Sequence, residues 1–322
     1  MLLDKNIDLH CDLTAYLIQD RAAIDGDIRC SLPKLLEGNV AMQVMAFYSG
    51  TEKGSVDYAK RQLQIYKDLV NLPEFFEIDP SDILLQQGKV GIISAIENAS
   101  GLCEEDMPID KAFENFDLLN DNAHLMYVGL THHLENRFGG GNFTEAGLKG
   151  DGKLLIEYLN NRKIAVDLSH TSDKLAFDIL NLIDGKNLNI PVIASHSNMR
   201  AVFNHNRNLP DELVQEIVRR GGLIGLNLVK SFINPEDPDY LYRHIEHAVK
   251  LGAENHLCFG ADFFDDKSHP DQSRYPFFFD EYGNSTAYSK INEKITDLFS
   301  EDFKNKVSQE NVLNYFNRLY KN

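Results

Sequence analysis

Ile164-Ala165-Val166-Asp167-Leu168-Ser169-His170 and Pro191-Val192-Ile193-Ala194-Ser195-His196 are two compact, mostly apolar runs that each end in histidine. Both have the length and type of a buried parallel strand. Small polar residues follow each, Thr171-Ser172 and Ser197-Asn198, and residues 172–186 between them read as a helix. The unit is strand, helix, strand, with an imidazole at the carboxyl end of each strand. Neighbouring parallel strands lie about 4.8 Å apart, so the two rings could reach one metal ion. The plainer alternative is that each histidine only caps its strand by hydrogen bonding.

The same alternation runs outward in both directions. Strands are expected at 7–12, 40–47, 90–97 and 124–132 before this unit, and at 222–227 and 256–262 after it. Helices are expected at 54–71, 109–121, 152–162 and 239–251, and one more opens at Pro210-Asp211-Glu212 and closes at Arg219-Arg220-Gly221. That last segment carries proline and acids in its first turn, with cations and glycine at its end. The remainder, 263–322, reads as a loop and two or three helices, the last at 308–320 with Val312, Leu313, Phe316 and Leu319 on one face. Eight β–α units without a linker or composition break predict a TIM (β/α)8 barrel. The whole of 1–322 is expected to be one domain, with 263–322 packed on the barrel. A doubly wound open sheet is the rival fold, but the first strand is not followed by a glycine-rich phosphate fingerprint.

Acidic residues outnumber basic ones 49 to 32, for a net charge of −17. No basic stripe is available to displace counterions, which argues against a nucleic-acid partner, and the charge argues against docking on an anionic membrane. The first five residues lack the pattern of a signal peptide. No apolar run is long enough to span a bilayer, and residues 317–322 do not resemble an anchor signal. Cys11, Cys30, Cys103 and Cys258 are scattered with no CxxC. They are expected to be reduced, buried thiols in a cytoplasmic protein.

In a barrel the strand ends converge on one face. They offer His10 and Asp12 on the first strand, Glu97 on the third, His132 on the fourth, His170 and His196 on the fifth and sixth, and Asp262 on the eighth. If alternation holds along the first strand, Asp8, His10 and Asp12 share one face and Leu9, Cys11 and Leu13 the other. The donor set is nitrogen and oxygen without thiolate, which suits zinc, manganese, cobalt or iron. Its size points to two divalent ions. His10 and Asp12 would serve one, His170 and His196 the other, with Glu97 between them. Two such ions about 3.5–4 Å apart can share a hydroxide that is nucleophilic at neutral pH, which leaves Asp262 to carry the proton.

These residues resemble the membrane (renal) dipeptidase family, peptidase family M19 of the amidohydrolase superfamily. The resemblance spans nearly the whole chain. It rests on His10-x-Asp12, Ile96-Glu97, Leu130-Thr131-His132 with Asn136 four residues on, and Leu148 after Thr144-Glu145-Ala146-Gly147. It continues through Asp167-Leu168-Ser169-His170, Ser195-His196-Ser197, Arg207-Asn208-Leu209-Pro210-Asp211 and Gly260-Ala261-Asp262-Phe263. It implies a binuclear zinc barrel that hydrolyses dipeptides. Carried over residue by residue, His10, Asp12, Glu97, His170 and His196 are the metal ligands, with Glu97 bridging. His132 contacts the scissile carbonyl and stabilises its oxyanion, Arg207 clamps the terminal carboxylate, and Asp262 is the acid/base. An Arg fork at a fixed distance from the metals measures one residue beyond the cleaved bond.

The chain departs from the family at three places. Asn98-Ala99 stand where Gly-Gly usually follows the glutamate. Asp262-Phe263-Phe264-Asp265-Asp266 replaces the usual Asp-Phe-Asp-Gly. Asn227-Leu228-Val229-Lys230 lacks a tyrosine near the substrate carboxylate, for which Lys230 is the available substitute. These bear on substrate preference more than on the metal centre. His133 would face away from His132 if the strand ran on, and is expected to be a loop residue. His124, His205, His244, His247, His256 and His269 are expected in surface or loop roles, and Asp167 in a structural one. The rival functions are hydrolysis of an N-acyl amino acid, lactone or phosphoester on the same centre, and an inactive metal-binding scaffold. The partner expected is a small dipeptide substrate, with a homodimer left open.

Overall fold

The computed structural model describes residues 4–321 apart from 27, 268 and 270. Residues 1–3 and 322, which entered the reading of the chain ends, lie outside the described residues. Among the described residues nine parallel strands are formed: β1 (Asn6–Cys11), β2 (Val40–Tyr48), β3 (Phe75–Glu77), β4 (Val90–Glu97), β5 (Leu125–Gly129), β6 (Ala165–Asp167), β7 (Val192–Ile193), β8 (Ile224–Leu226) and β9 (Leu257–Phe259). Their order is β7-β6-β5-β4-β2-β1-β9-β8. A parallel bridge between Ala194 and Ile224 brings β7 to β8, with Ala194 N–H donating to Leu223 O at 2.9 Å and Gly225 N–H to Ala194 O at 2.8 Å. The result is the nearly closed eight-stranded α/β barrel that the strand count predicts. β3 lies outside the ring and pairs with β4. At the seam the backbones meet so closely that a Cβ on Gly225 or Gly260 would fall 1.8 or 1.9 Å from Ser195 O.

The strands of the ring are buried almost from end to end, as the continuous Val, Ile and Ala runs require of a sheet covered on both faces. The helix Ser55–Val70 buries Val56, Ala59, Leu63 and Tyr66 along one stripe. Ser172 caps Asp173–Gly185 by accepting from Leu175 N–H at 2.9 Å. Among the described residues no helix is long and apolar enough to cross a membrane. All four cysteines are buried and unbridged.

Two apolar clusters divide the molecule. One gathers Ile7, Leu9, Met42, Val44, Ile93, Ala95, Tyr127, Ala165, Ile193 and Cys258 from strands around the ring, and is the barrel interior. The helix Asn311–Lys321 adds Val312, Tyr315 and Phe316 to it. The other holds Cys11, Met45, Phe47, Ile92, Val128, Val166, Leu226 and Phe259 together with the helix faces, and is the layer between strands and helices.

β1 does not alternate as expected. Ile7 and Leu9 belong to the interior, yet Cys11 belongs to the outer layer. The register against β2 slips between Asp8, opposite Gln43, and Cys11, opposite Met45. That is a bulge, with one extra residue on β1, and it re-aims the side chains after it. Asp8 therefore parts from His10 and faces the outer layer. Its Oδ2 accepts from the hydroxyl of Tyr288. Its Oδ1 accepts from His10 N–H at 3.1 Å and from Ala261 N–H at 3.0 Å, so it pins the bulge to the end of β9.

Several strands are shorter than expected. β5 ends at Gly129, β6 at Asp167 and β7 at Ile193, so His132, His170 and His196 each stand three residues beyond a strand. There the ladder bonds give way to side chains. Asp167 Oδ1 accepts from Ser169 N–H at 3.1 Å and Ser195 N–H at 2.8 Å, and Thr131 Oγ1 donates to His170 O at 3.2 Å.

Candidate metal centre

Glu97, the last residue of β4, lies at the middle of the converging strand ends. Its Oε1 is 2.9 Å from His170 Nε2 and 3.7 Å from His196 Nε2. Its Oε2 is 3.4 Å from His10 Nε2. His10 Nε2 also lies 3.7 Å from Asp12 Oδ1 and 3.8 Å from Asp262 Oδ1. His170 and His196 bring their Nε2 atoms to 2.8 Å of each other. The donors fall into overlapping triads, among them His10–Asp12–Glu97 and Glu97–His170–His196. These are the two groups that the sequence separates, and they meet at one carboxylate.

The hydrogen bonds behind the rings determine which nitrogen is free. The Tyr127 hydroxyl donates to Leu9 O at 2.9 Å, so at 2.7 Å it must accept from His10 Nδ1–H. Ser195 Oγ donates to Asp167 Oδ2 at 2.5 Å and accepts from His196 Nδ1–H at 2.7 Å. Both rings thus turn Nε2 toward Glu97, which is the arrangement a metal ligand needs. His170 Nδ1 has no protein partner, and buried His10 Nε2 and Asp12 Oδ1 are likewise unpartnered.

Charge tells the same story. Burial disfavours a proton on His10, but the carboxylates of Glu97, Asp12 and Asp262 outweigh it and hold its pKa up at about 10. Burial pushes Glu97 up, yet His10 prevails and its pKa falls to about 2. Burial, then Glu97, drives Asp12 well above the usual carboxylate range. Burial, reinforced by Arg207 and the other imidazoles, takes His170 and His196 well below the usual histidine range. Buried carboxylates that demand a cation, beside neutral imidazoles with lone pairs turned inward, fit a metal-binding site.

The other expected residues gather around this group. Asp262 Oδ2 accepts from Asn227 Nδ2 at 2.9 Å, and burial lifts its pKa to about 6. His132 keeps a quarter of its side chain exposed, with Nε2 3.9 Å from Glu97 Oε1. Burial lowers its pKa to about 4, so the ring is neutral. Arg207 is buried, donates from Nη2 to His196 O at 3.2 Å, and has no partner for Nε. Lys230 directs its ammonium at the Phe279 ring, 5.3 Å from the centroid. Three residues at the site hold positive φ without being glycine: Asn98 at 74°, His170 at 65° and Asp262 at 64°. Such conformations persist where the surroundings impose them. Asn98 is gripped by bonds to Ser49 O at 2.8 Å, Ser100 N–H at 3.1 Å and Asn136 Nδ2 at 2.9 Å.

One histidine expectation fails, that for His244, while His133 and His205 lie in loops as expected. His133 does not point away. Its ring lies 3.9 Å from that of His132 and 5.0 Å from that of His170, because the strand ends at Gly129 and alternation stops there. His205 accepts from Arg207 N–H at 3.1 Å and sits beside Phe232. His244 is fully buried, with Nδ1 accepting from Met199 N–H at 3.0 Å. Tyr127 and Ser195 were not singled out. Ser195 has one sequence signal, its position directly before His196. Tyr127 has only its place on an inward strand.

Fold and donor set together define a parallel barrel with a metal-binding constellation at the carboxyl ends of its strands. A family model described as membrane dipeptidase (peptidase family M19) matches residues 3–310, and the chain belongs to that family. Among curated relatives, an uncharacterized protein in the pqqA 5' region of Klebsiella pneumoniae is 28% identical over 189 residues, 54% of this chain and 65% of that protein. Dipeptidase aclJ of Aspergillus oryzae is 30% identical over 164 residues, 47% of this chain and 37% of that protein. The matched stretches thus cover less than two thirds of these relatives' length. Among solved structures, dipeptidase AC, a metallopeptidase of family M19, superposes with a TM-score of 0.81 at 22% identity, covering 99% of both chains. A Rhodobacter sphaeroides metallopeptidase, liganded with a phosphinate mimic of the dipeptide L-Ala-D-Ala, gives 0.82 at 20% identity, covering 98% of this chain and 99% of that one. At these identities the superpositions establish the fold.

Proposed function

We propose that this chain is a metal-dependent dipeptidase whose buried donors hold two divalent ions, zinc being the first choice for a set of imidazoles and carboxylates. His10 and Asp12 hold one, His170 and His196 the other, and Glu97 serves both. The observation that carries this reading is Glu97 itself: one oxygen faces His170 and His196, the other faces His10. When bound, the ions supply Lewis acidity and bring a coordinated water's pKa down to about 7.

The chain's own residues do the rest. Asp262, steadied by Asn227, takes a proton from the attacking water and delivers it to the leaving amine. Neutral, part-exposed His132 offers an N–H to the oxygen on which charge develops. Arg207 presents a buried guanidinium with a free Nε, suited to a substrate carboxylate. The relative solved with a dipeptide mimic supports the same substrate class.

The test is elemental analysis of the purified protein, then a dipeptide panel with amino-acetylated and carboxyl-amidated controls. About two ions per chain are expected, with hydrolysis lost on chelation, restored by zinc, and much weaker on carboxyl-amidated substrates. No cleavage of any dipeptide by protein loaded with zinc, manganese or cobalt overturns the reading.

A further inference from the structure

Resting on that reading, we propose that an aromatic wall beside Arg207, with Phe143 at its rim, selects dipeptides whose carboxyl-terminal residue carries a large apolar or aromatic side chain.

The wall is a continuous arc of rings from His132 to Arg207. His133 lies 3.9 Å from His132, centroid to centroid. Phe143 lies 5.1 Å from His133, and His205 meets Phe143 edge-on at 6.2 Å. Phe232 lies 4.9 Å from His205, and the Arg207 guanidinium sits 5.2 Å from the Phe232 centroid. A carboxylate on Arg207 therefore places the residue that bears it alongside this arc, while the scissile carbonyl sits toward His132.

Of the large apolar side chains exposed among the described residues, Phe143 is the one that lies in this arc. It is 50% exposed, although aromatic surface is expensive to leave in water. Its backbone is nonetheless held. Phe143 N–H donates to His133 O at 3.1 Å, Gly141 N–H to Leu134 O at 3.1 Å and Thr144 N–H to Gly141 O at 2.9 Å, and Asn142 Oδ1 lies 3.0 Å from His133 Nδ1. Gly141 is packed so tightly that a Cβ would fall 2.2 Å from His132 O. The turn thus presents an exposed ring at a fixed place, against the imidazole next to His132. Burial, helped by Arg207, Arg274 and Arg200, holds His205 to a pKa of about 4, so its ring offers a neutral face. A second aromatic or branched side chain laid against Phe143 and His205 would cover what water now covers. Hydrophobic and edge-to-face contact both favour that.

The experiment is steady-state hydrolysis of an X-Gly, X-Leu, X-Phe series by the metal-loaded parent, Phe143→Ala and Phe143→Leu. The parent is expected to favour X-Phe and X-Leu over X-Gly by about tenfold or more in kcat/KM. Phe143→Ala is expected to raise KM for X-Phe by about tenfold with kcat little changed, and to leave X-Gly nearly unaltered. Phe143→Leu should recover most of the X-Leu rate and thereby exclude a folding defect. Dipeptide cleavage with no preference at the carboxyl-terminal position, or equal losses on X-Gly and X-Phe in Phe143→Ala, overturns this proposal and leaves the dipeptidase reading standing. Absence of cleavage throughout the series overturns that reading instead.

Discussion

The two halves of the donor cluster are built by different means. His10 belongs to a six-residue strand, is aimed by a bulge, and is oriented from across the barrel by Tyr127, 117 residues away in sequence. His170 and His196 stand on turns beyond strands of three and two residues. Their support comes from neighbours: Asp167 to Ser195 to His196 is one short relay, and His170 adopts a left-handed backbone. One half is held by tertiary architecture, the other by hydrogen bonds among residues that adjoin in two loops. The difference implies that the two can be weakened separately, and that only Glu97 makes them one site.

Substitutions test whether the two halves are supported separately. Glu97→Gln has the largest expected effect, since it removes the shared carboxylate charge. Metal content should fall in both halves, and hydrolysis should drop well beyond the roughly 100-fold that changes behind the ligands cost; elemental analysis and kcat/KM on one dipeptide check this. Asp167→Asn comes next. It should weaken the His170–His196 half by about 10–100-fold in metal affinity while sparing the His10 half, as read by chelator competition at two stoichiometries. Tyr127→Phe should do the converse, by about tenfold; equal weakening of both halves would show that they are not separately supported. Tyr288→Phe has the smallest expected effect on the site. It leaves buried Asp8 one partner short, costing about 1–3 kcal/mol of stability, so the melting temperature should fall while metal content stays near the parent value.

The same contrast explains what could be read from the chain alone. Glu97, His170, His196 and Asp262 are legible because each follows an apolar run, and a barrel must bring such ends together. Arg207 and His132 carried little weight until the motif order was seen. The bulge in β1 left no trace in the sequence, because the pattern Ile-Asp-Leu-His-Cys reads as plain alternation. The grouping of Asp8 with His10 failed for that reason. His133 and His205 are legible as loop residues, but strand periodicity says nothing about where their rings point, which depends on turns. Asp167 reads as structural from the sequence, and it is so in an instructive sense: its bonds run to the backbone of two loops, at Ser169 and Ser195, and, through Ser195, to the ring of His196.

The helix Asn311–Lys321 has a consequence for the order in which the molecule can be made. Its Val312, Tyr315 and Phe316 belong to the same interior cluster as Ile7 and Leu9 of β1. All nine strands leave the ribosome before the side chains that stop the base of the barrel exist. At about 5–20 residues per second, roughly 15–60 s separate the first strand from the last helix. From the emergence of β9 until this helix follows, the last fraction of that interval, the ring has an uncovered apolar floor, which makes it a client for a chaperone that binds exposed hydrophobic surface.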